Sequence, residues 1–404
     1  MKVDFLKIKK YIIGLHIFTA TLLCYFFVQN MLIAEIILTL LCIVTCIFFR
    51  KSIPCTKTLC LWIAAIVVSV VSNFKSVDFQ TSFSQVILLS YFLVMSTFVS
   101  LDTSDNKYLI NILWFSCGLH VIFSLWQYFD NITFYSFLGK FANAERLAES
   151  LEIYRGGRLC GITDQTGING FFISIFIIIN MSKLLKAKKH KLQFLIMLIV
   201  ALFILFNTGK RAFTLITIAI CICMWLINGN QMTFRKKIKN LGIGIVILII
   251  IGWLVVNYGV ADSIISKFQY LALQGDVTNG RVELWRDTLE IFDKHRFFGV
   301  GIRSIPLLLG DATHNVYVQL LAEVGIVGAG LFYCAMLYPF IKSCYVSIRE
   351  KKLSLKRLVA ISVQLFFLVY CITGNPLYDH KMMWIYAVAV GFAESEEKYG
   401  KQQS

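Results

Sequence analysis

Apolar runs of roughly 17 to 25 residues recur from one end of the chain to the other, separated by short polar stretches. Each is long enough to cross about 30 Å of hydrocarbon as a helix, the conformation that satisfies its own backbone hydrogen bonds where water is absent. The pattern predicts spans at Tyr11 to Val28, Met31 to Phe49, Thr58 to Phe74, Phe83 to Ser100, Tyr108 to Phe129 and Thr166 to Met181. Further spans are expected at Leu192 to Phe206, Ala212 to Ile227, Leu241 to Asn257, Asn315 to Ile341, Leu358 to Thr373 and Met382 to Ala393. The expected fold is all-α: one polytopic membrane domain over residues 1–404, with about a dozen transmembrane helices. The first span follows Lys7, Lys9 and Lys10 but lacks a small-residue cleavage site, so it reads as a retained helix.

Two polar segments are long, 130–165 and 258–314, and both fall on the outer side if the termini are cytoplasmic. The second carries Val282, Trp285, Leu289 and Phe292 at helical spacing, with Glu283, Arg286, Asp287, Glu290, Asp293 and Lys294 on the other faces. That periodicity predicts an amphipathic helix lying on the membrane surface. The first carries a weaker version in Phe141, Ala144, Ala148, Leu151 and Tyr154, ended by Gly156 and Gly157. Functional residues concentrate in structured loops held by a scaffold, which directs attention to these outer segments.

Composition agrees: 58% of residues are hydrophobic and only 15% charged, too little polar surface for a water-soluble domain. The net charge of +16 would otherwise point to nucleic acid. Sorted by the expected spans, the whole excess falls on the cytoplasmic side, in clusters such as 183–191, 235–239 and 342–357. This is the positive-inside pattern, so the charge reports topology and a nucleic-acid partner is excluded. The 12 cysteines lie almost all in spans or at their inner ends, Cys160 excepted, and neither a disulfide framework nor a zinc spacing emerges.

No phosphate-binding loop, HExxH, GxSxG or paired-aspartate metal motif occurs. Three residues share a different property: Arg211, Arg281 and His314 each stand where a helix is expected to begin on the outer side. Unpaired N–H groups and the helix dipole favour anions there, and two guanidiniums add forked donors that suit phosphate. Such a set would hold a diphosphate without a metal. Each Arg alone also fits an interfacial anchor, and Lys210 could serve as well as Arg211. In 314–328, Gly325 and Gly328 project within about 40° of the His314 face if one helix runs through them, a small-residue stripe for close helix packing. Glu323 projects the opposite way and reads as a buried partner for another span.

His314, Asn315, Gly325 and Gly328, spaced as His-Asn, nine residues, then Gly-x-x-Gly, resemble the signature of the bacterial O-antigen ligase and surface-polysaccharide polymerase superfamily. TGKRA at 208–212 is similar to that family's turn before a span, with Lys210 where a Ser is commoner. GRVELW at 280–285 and FFGVGIRS at 297–304 are similar to its outer-loop pattern. The resemblance implies a metal- and cofactor-independent glycosyltransferase of the bacterial cytoplasmic membrane. It would take an undecaprenyl-diphosphate-linked glycan donor, with a glycan or lipid A core acceptor. Arg211 and Arg281 would hold the diphosphate, and His314 would take or orient the acceptor proton. Asn315, Arg303, Arg158 and Lys210 are further candidates for substrate contact, and flippase and chain-length regulator proteins are candidate partners.

Polymerisation of lipid-linked repeat units is the leading expectation, because TGNPLYD at 373–379 looks like the polymerases of surface-polysaccharide pathways. A ligase moving finished glycan to an acceptor shares the signature. A transporter or flippase is a third reading; it would be expected to show repeat symmetry, interrupted helices or several intramembrane charges, of which only Glu35 and Glu323 are acids in the expected spans.

Overall fold

The structure is a computed structural model that describes residues 4–26, 31–101, 107–228, 280–350 and 353–402. All regular secondary structure among these residues is helical. In chain order the helices are α1 Phe5–Thr21, α2 Met31–Phe48, α3 Lys57–Asn73, α4 Phe79–Ser100, α5 Lys107–Phe129, α6 Asn131–Leu138, α7 Ala144–Arg155 and α8 Thr166–Lys186. They continue as α9 Lys191–Asn207, α10 Arg211–Asn228, α11 Arg281–Lys294, α12 Ile305–Leu309, α13 Val316–Glu350, α14 Leu355–Tyr370 and α15 His380–Gln402. The span expected at Leu241 to Asn257 and the outer residues 258–279 lie outside the described residues.

Four helices, α4, α5, α8 and α13, are long and apolar enough to cross a membrane, and four shorter apolar helices lie within α2, α3, α9 and α10. The chain is a multi-pass membrane protein; among the described residues, length and composition do not reach the expected dozen spans. The shorter helices fall at the lower limit of what spans 30 Å of hydrocarbon. Large apolar side chains stay exposed along them, such as Ile47, Phe48, Leu192 and Leu215, as a lipid-facing surface requires.

The chain divides into two compact units, Met1–Ser116 with Arg281–Ser404, and Cys117–Gly280. In the first, α15 packs along α4 and α14, and α13 along α3. The crossing of α15 and α4 is close because Gly391 leaves no room for a Cβ beside Val99. An aromatic row fills the core: Phe367 stacks on Tyr386 at 4.1 Å, Tyr386 on Phe92 at 5.6 Å, and Trp62 meets Phe92 at 4.4 Å and Phe332 at 6.0 Å. Such pairs add about 1 kcal/mol each beyond area burial, which matters in lipid, where the hydrophobic effect does not drive helix association. The Glu35 carboxylate receives the Trp384 indole N–H at 3.1 Å.

In the second unit α8 is the central helix, buried along nearly its whole length against α9 and α10. Asp130 and Asn143 cap α6 and α7 through their side-chain oxygens, and α7 stops at Gly156. The weaker amphipathic pattern of the sequence thus becomes α7, while α6 is an addition to it. Beyond α7 the chain is pinned by Gln127, whose oxygen accepts from the N–H of Cys160 at 3.1 Å and of Gly161 at 2.8 Å. Its amide N–H donates to the Tyr135 hydroxyl at 2.8 Å. Burial in this network pushes the Cys160 thiol up, and burial likewise pushes the Tyr135 phenol up to about 12.

Candidate active site

The helix that carries the signature is not continuous. Gly325, inside α13, has φ 68° and ψ −177°, a backbone conformation that strains any residue with a Cβ. The break frees main-chain groups among buried residues, where each unpaired group would cost about 1–3 kcal/mol. The loop 296–301 supplies their partners. Val300 N–H donates to Ala322 O at 3.1 Å, Gly301 N–H to Glu323 O at 2.8 Å, and Ile326 N–H to Arg296 O at 2.8 Å. The Ser72 hydroxyl also donates to Glu323 O, at 2.7 Å. Gly299 and Gly301 have positive φ, and a Cβ on Gly299 or Gly325 would collide with the backbone across from it. FFGVGIRS is therefore the piece that completes the broken helix.

This overturns the helical projection made through 314–328. The 100° step does not carry across Gly325, and Gly325 admits loop backbone at Phe297 rather than a neighbouring helix. Gly328 does lie against a helix, with Val68 of α3 beside it.

His314 stands two residues before α13 at φ 52°, half-buried. Asn315 follows as the cap: its side-chain oxygen accepts from Tyr317 N–H at 3.0 Å and Val318 N–H at 3.2 Å. The Asn315 oxygen thus serves the helix end, whereas the sequence reading set it toward substrate. α11 begins at Arg281, as expected, and is fastened beside the same end. Trp285, one turn after Arg281, donates its indole N–H to the carbonyl of Thr313 at 2.8 Å. Arg281 itself reaches Thr373 O at 3.4 Å, in the turn between α14 and α15. A second tie runs through the backbone, from Val316 N–H to Cys371 O at 2.8 Å. Arg281, His314 and the turn 371–380 therefore belong to one hydrogen-bonded assembly in the first unit.

Glu323 is fully buried at the foot of this assembly. Its carboxyl accepts from Tyr378 O–H at 2.6 Å, Gln319 Nε2 at 2.9 Å and Ile305 N–H at 3.3 Å, and the backbone of Arg303 also bonds to it. Arg303 stands at φ 65° with an exposed side chain. Its charge, with that of Lys381, adds to burial in holding the nearby His380 imidazole below its ordinary range; Asp379 pulls the other way. Glu323, expected to pair with another span, is instead met by Tyr378 of the turn 371–380, a residue the sequence reading did not single out; the TGNPLYD motif was its only signal.

The second unit holds the remaining candidates. Arg211 opens α10 after the turn 207–210, in which Gly209 has φ 70°. The stem of Arg158 lies directly over Gly209, where even a methyl group would crowd its Cγ and Cδ, and Leu159 N–H donates to Asn207 O at 2.9 Å. The Lys210 stem passes beside Gly167 in the first turn of α8. Arg158, Lys210 and Arg211 are thus gathered around one turn. Three cationic side chains therefore stand near the N-termini of two helices, where the backbone dipoles favour anions.

The described residues thus make a helical multi-pass membrane protein that sets basic residues and an imidazole at the starts of helices. Residues 195–333 match the family model described as O-antigen ligase, which places this segment in the O-antigen ligase and polysaccharide polymerase superfamily. The matched segment contains Lys210, Arg211, Arg281, Arg303, His314, Asn315, Gly325 and Gly328, and supports a glycosyltransferase-like function in polysaccharide assembly. Comparison with curated proteins finds no match to the chain.

Proposed function

We propose that the protein is a polymerase that joins undecaprenyl-diphosphate-linked oligosaccharide units on the outer face of a bacterial cytoplasmic membrane, with both termini in the cytoplasm. In this reading Arg211 and Arg281 bind the diphosphate and stabilise it as it leaves. The acceptor sugar oxygen attacks the anomeric carbon, the bond from that carbon to the diphosphate oxygen breaks, and His314 takes the hydroxyl proton. Two guanidiniums carry the charge that a metal would otherwise balance. Lys210, Arg158 and Arg303 add contacts to diphosphate or sugar, and Asn315 contributes by capping the helix next to His314.

The observation that carries the reading is the 2.8 Å bond from Trp285 to Thr313 O, which fastens the helix led by Arg281 beside His314. A transferase needs such an arrangement; a transporter does not. The interrupted helix is a feature expected of transport, but here the carbonyls of Ala322 and Glu323 and the N–H of Ile326 are bonded by residues 296–301 and Ser72. A ligase is the second reading, favoured by the description of the matching family.

The test is a glycan gel from cells lacking the native copy and expressing His314→Ala, Arg281→Ala or Arg211→Ala at normal levels. A polymerase yields single repeats on the carrier in all three; a ligase yields long lipid-linked chains that fail to transfer. Unaltered ladders from all three variants would falsify the glycosyl-transfer reading.

A further inference from the structure

The two glycans' worth of chemistry proposed above depends on where His314, Arg281 and Arg303 stand relative to one another, and the first unit contains a buried device that sets this. From Trp285 a hydrogen-bonded chain runs to Thr313 O at 2.8 Å. The Thr313 hydroxyl lies 3.1 Å from Gln319 Oε1, and Gln319 Nε2 donates to Glu323 at 2.9 Å. Glu323 receives the Tyr378 hydroxyl at 2.6 Å on its other oxygen. Ile305 N–H, at 3.3 Å, and the backbone of Arg303 complete its shell. The main-chain oxygen of the same residue takes Ser72 and Gly301, closing the helix break.

We propose that Glu323 is the positioning residue of the active site: one buried carboxyl that sets the outward half of the broken helix, the loop of Arg303 and the last outer turn against each other, and through Gln319 and Thr313 fixes His314 beside Arg281. The proposal rests on the glycosyl-transfer reading and adds a residue that touches no substrate. Its chemistry is specific. Every partner of the carboxyl is a donor, so both oxygens are needed as acceptors. A carboxamide keeps one acceptor oxygen and turns a second group of donors toward donors, although the Tyr378 hydroxyl can rotate to accept. Alanine would leave the Ile305 N–H, Gln319 and Tyr378 without their buried partner, which costs stability as well as geometry.

The test uses the full-length protein with Glu323→Gln and Tyr378→Phe, both nearly isosteric, and with His314→Ala as control. Two quantities are read: the initial rate of polymer appearance after induction, per amount of protein in the membrane, and the affinity of the purified protein for undecaprenyl diphosphate. Misplacement of a reacting group by about 1 Å costs up to about 100-fold in rate. The expected result is a fall of about 10- to 100-fold for Glu323→Gln and about tenfold for Tyr378→Phe. Affinity for undecaprenyl diphosphate should fall much less than the rate in both, because Arg303 is one of several diphosphate contacts, and the double variant should be no slower than the worse single one. Native rates in both variants would overturn the proposal, and so would a loss of affinity in step with rate, which marks a carboxyl that only holds the fold. If His314→Ala polymerises normally, the parent reading falls and takes this one with it; if His314→Ala is inactive while Glu323→Gln and Tyr378→Phe run at native rate, only the positioning role falls.

Discussion

At the scale of single residues, the site is organised by groups that neither bear charge nor meet substrate. Trp285 is the clearest case. In the sequence it is one apolar position of an amphipathic repeat, but in the structure its N–H is what ties α11 to Thr313. Trp285→Phe keeps an aromatic side chain but removes the donor together with the five-membered half of the indole, a loss of about 1 kcal/mol in hydrogen bonding on top of the lost packing. The expected outcome is an unchanged amount of protein in the membrane and a polymerisation rate down about tenfold, measured by induction followed by glycan gel. An unchanged rate would mean that α11 is seated by its apolar face alone. The charged candidates were legible because charge at an expected helix start is rare in an apolar chain. Their spacers were not. Gln319 and Thr313 are ordinary polar residues, and only the fold brings them into line with Glu323.

At the scale of elements, some starts were readable where a polar residue met an apolar run, whereas ends were not. The helices expected to stop at Ile341 and Ala393 continue through charged residues to Glu350 and Gln402, and the first runs over Phe5–Thr21 where Tyr11 to Val28 was expected. α8 begins at Thr166, α10 at Arg211 and α11 at Arg281, within a residue or two of where the pattern placed them. The interruption of α13 was not readable, because Leu320 to Leu331 is apolar apart from Glu323 and glycine is common in membrane helices. What makes it a break is the loop backbone that fills it, and that loop is close in space, not in periodicity. The short helices α6 and α12 escaped for a different reason: a run of eight residues or fewer gives the 3.6-residue period too few turns to register. In the second unit, the segment after α7 hangs on Gln127. A variant retaining Cys160 as its only cysteine is expected to resist a membrane-impermeant maleimide at neutral pH, because the thiol is buried and pushed above its ordinary range. Adding Gln127→Ala should make it react at least several-fold faster; equal rates in the two proteins would remove Gln127 as the anchor.

At the scale of the whole molecule, composition and charge distribution were enough to read a helical membrane protein, because both follow from the bilayer and need no tertiary detail. The positive-inside pattern makes a further commitment. Reporter fusions active only outside the cytoplasm should be active after residues 140 and 311 and silent after 188 and at the C-terminus; activity at the C-terminus would invert the proposed topology. The division into two units was not readable. Its first boundary falls between Ser116 and Cys117, within the unbroken helix α5, where no proline, glycine cluster or change of composition marks it.

The gap at Gly325 also bears on how the chain is made. Residues 326–350 continue as a helix on hydrogen bonds of their own, whereas the carbonyls of Ala322 and Glu323 take theirs from Val300, Gly301 and Ser72. Burying those carbonyls before the outer loop has docked would strand them in hydrocarbon. The expected order of assembly is insertion of the long segment first, with seating of the shorter one after residues 296–301 have docked. The helix end that carries His314 and Asn315 is then expected to settle late, once that loop holds the shorter segment in place.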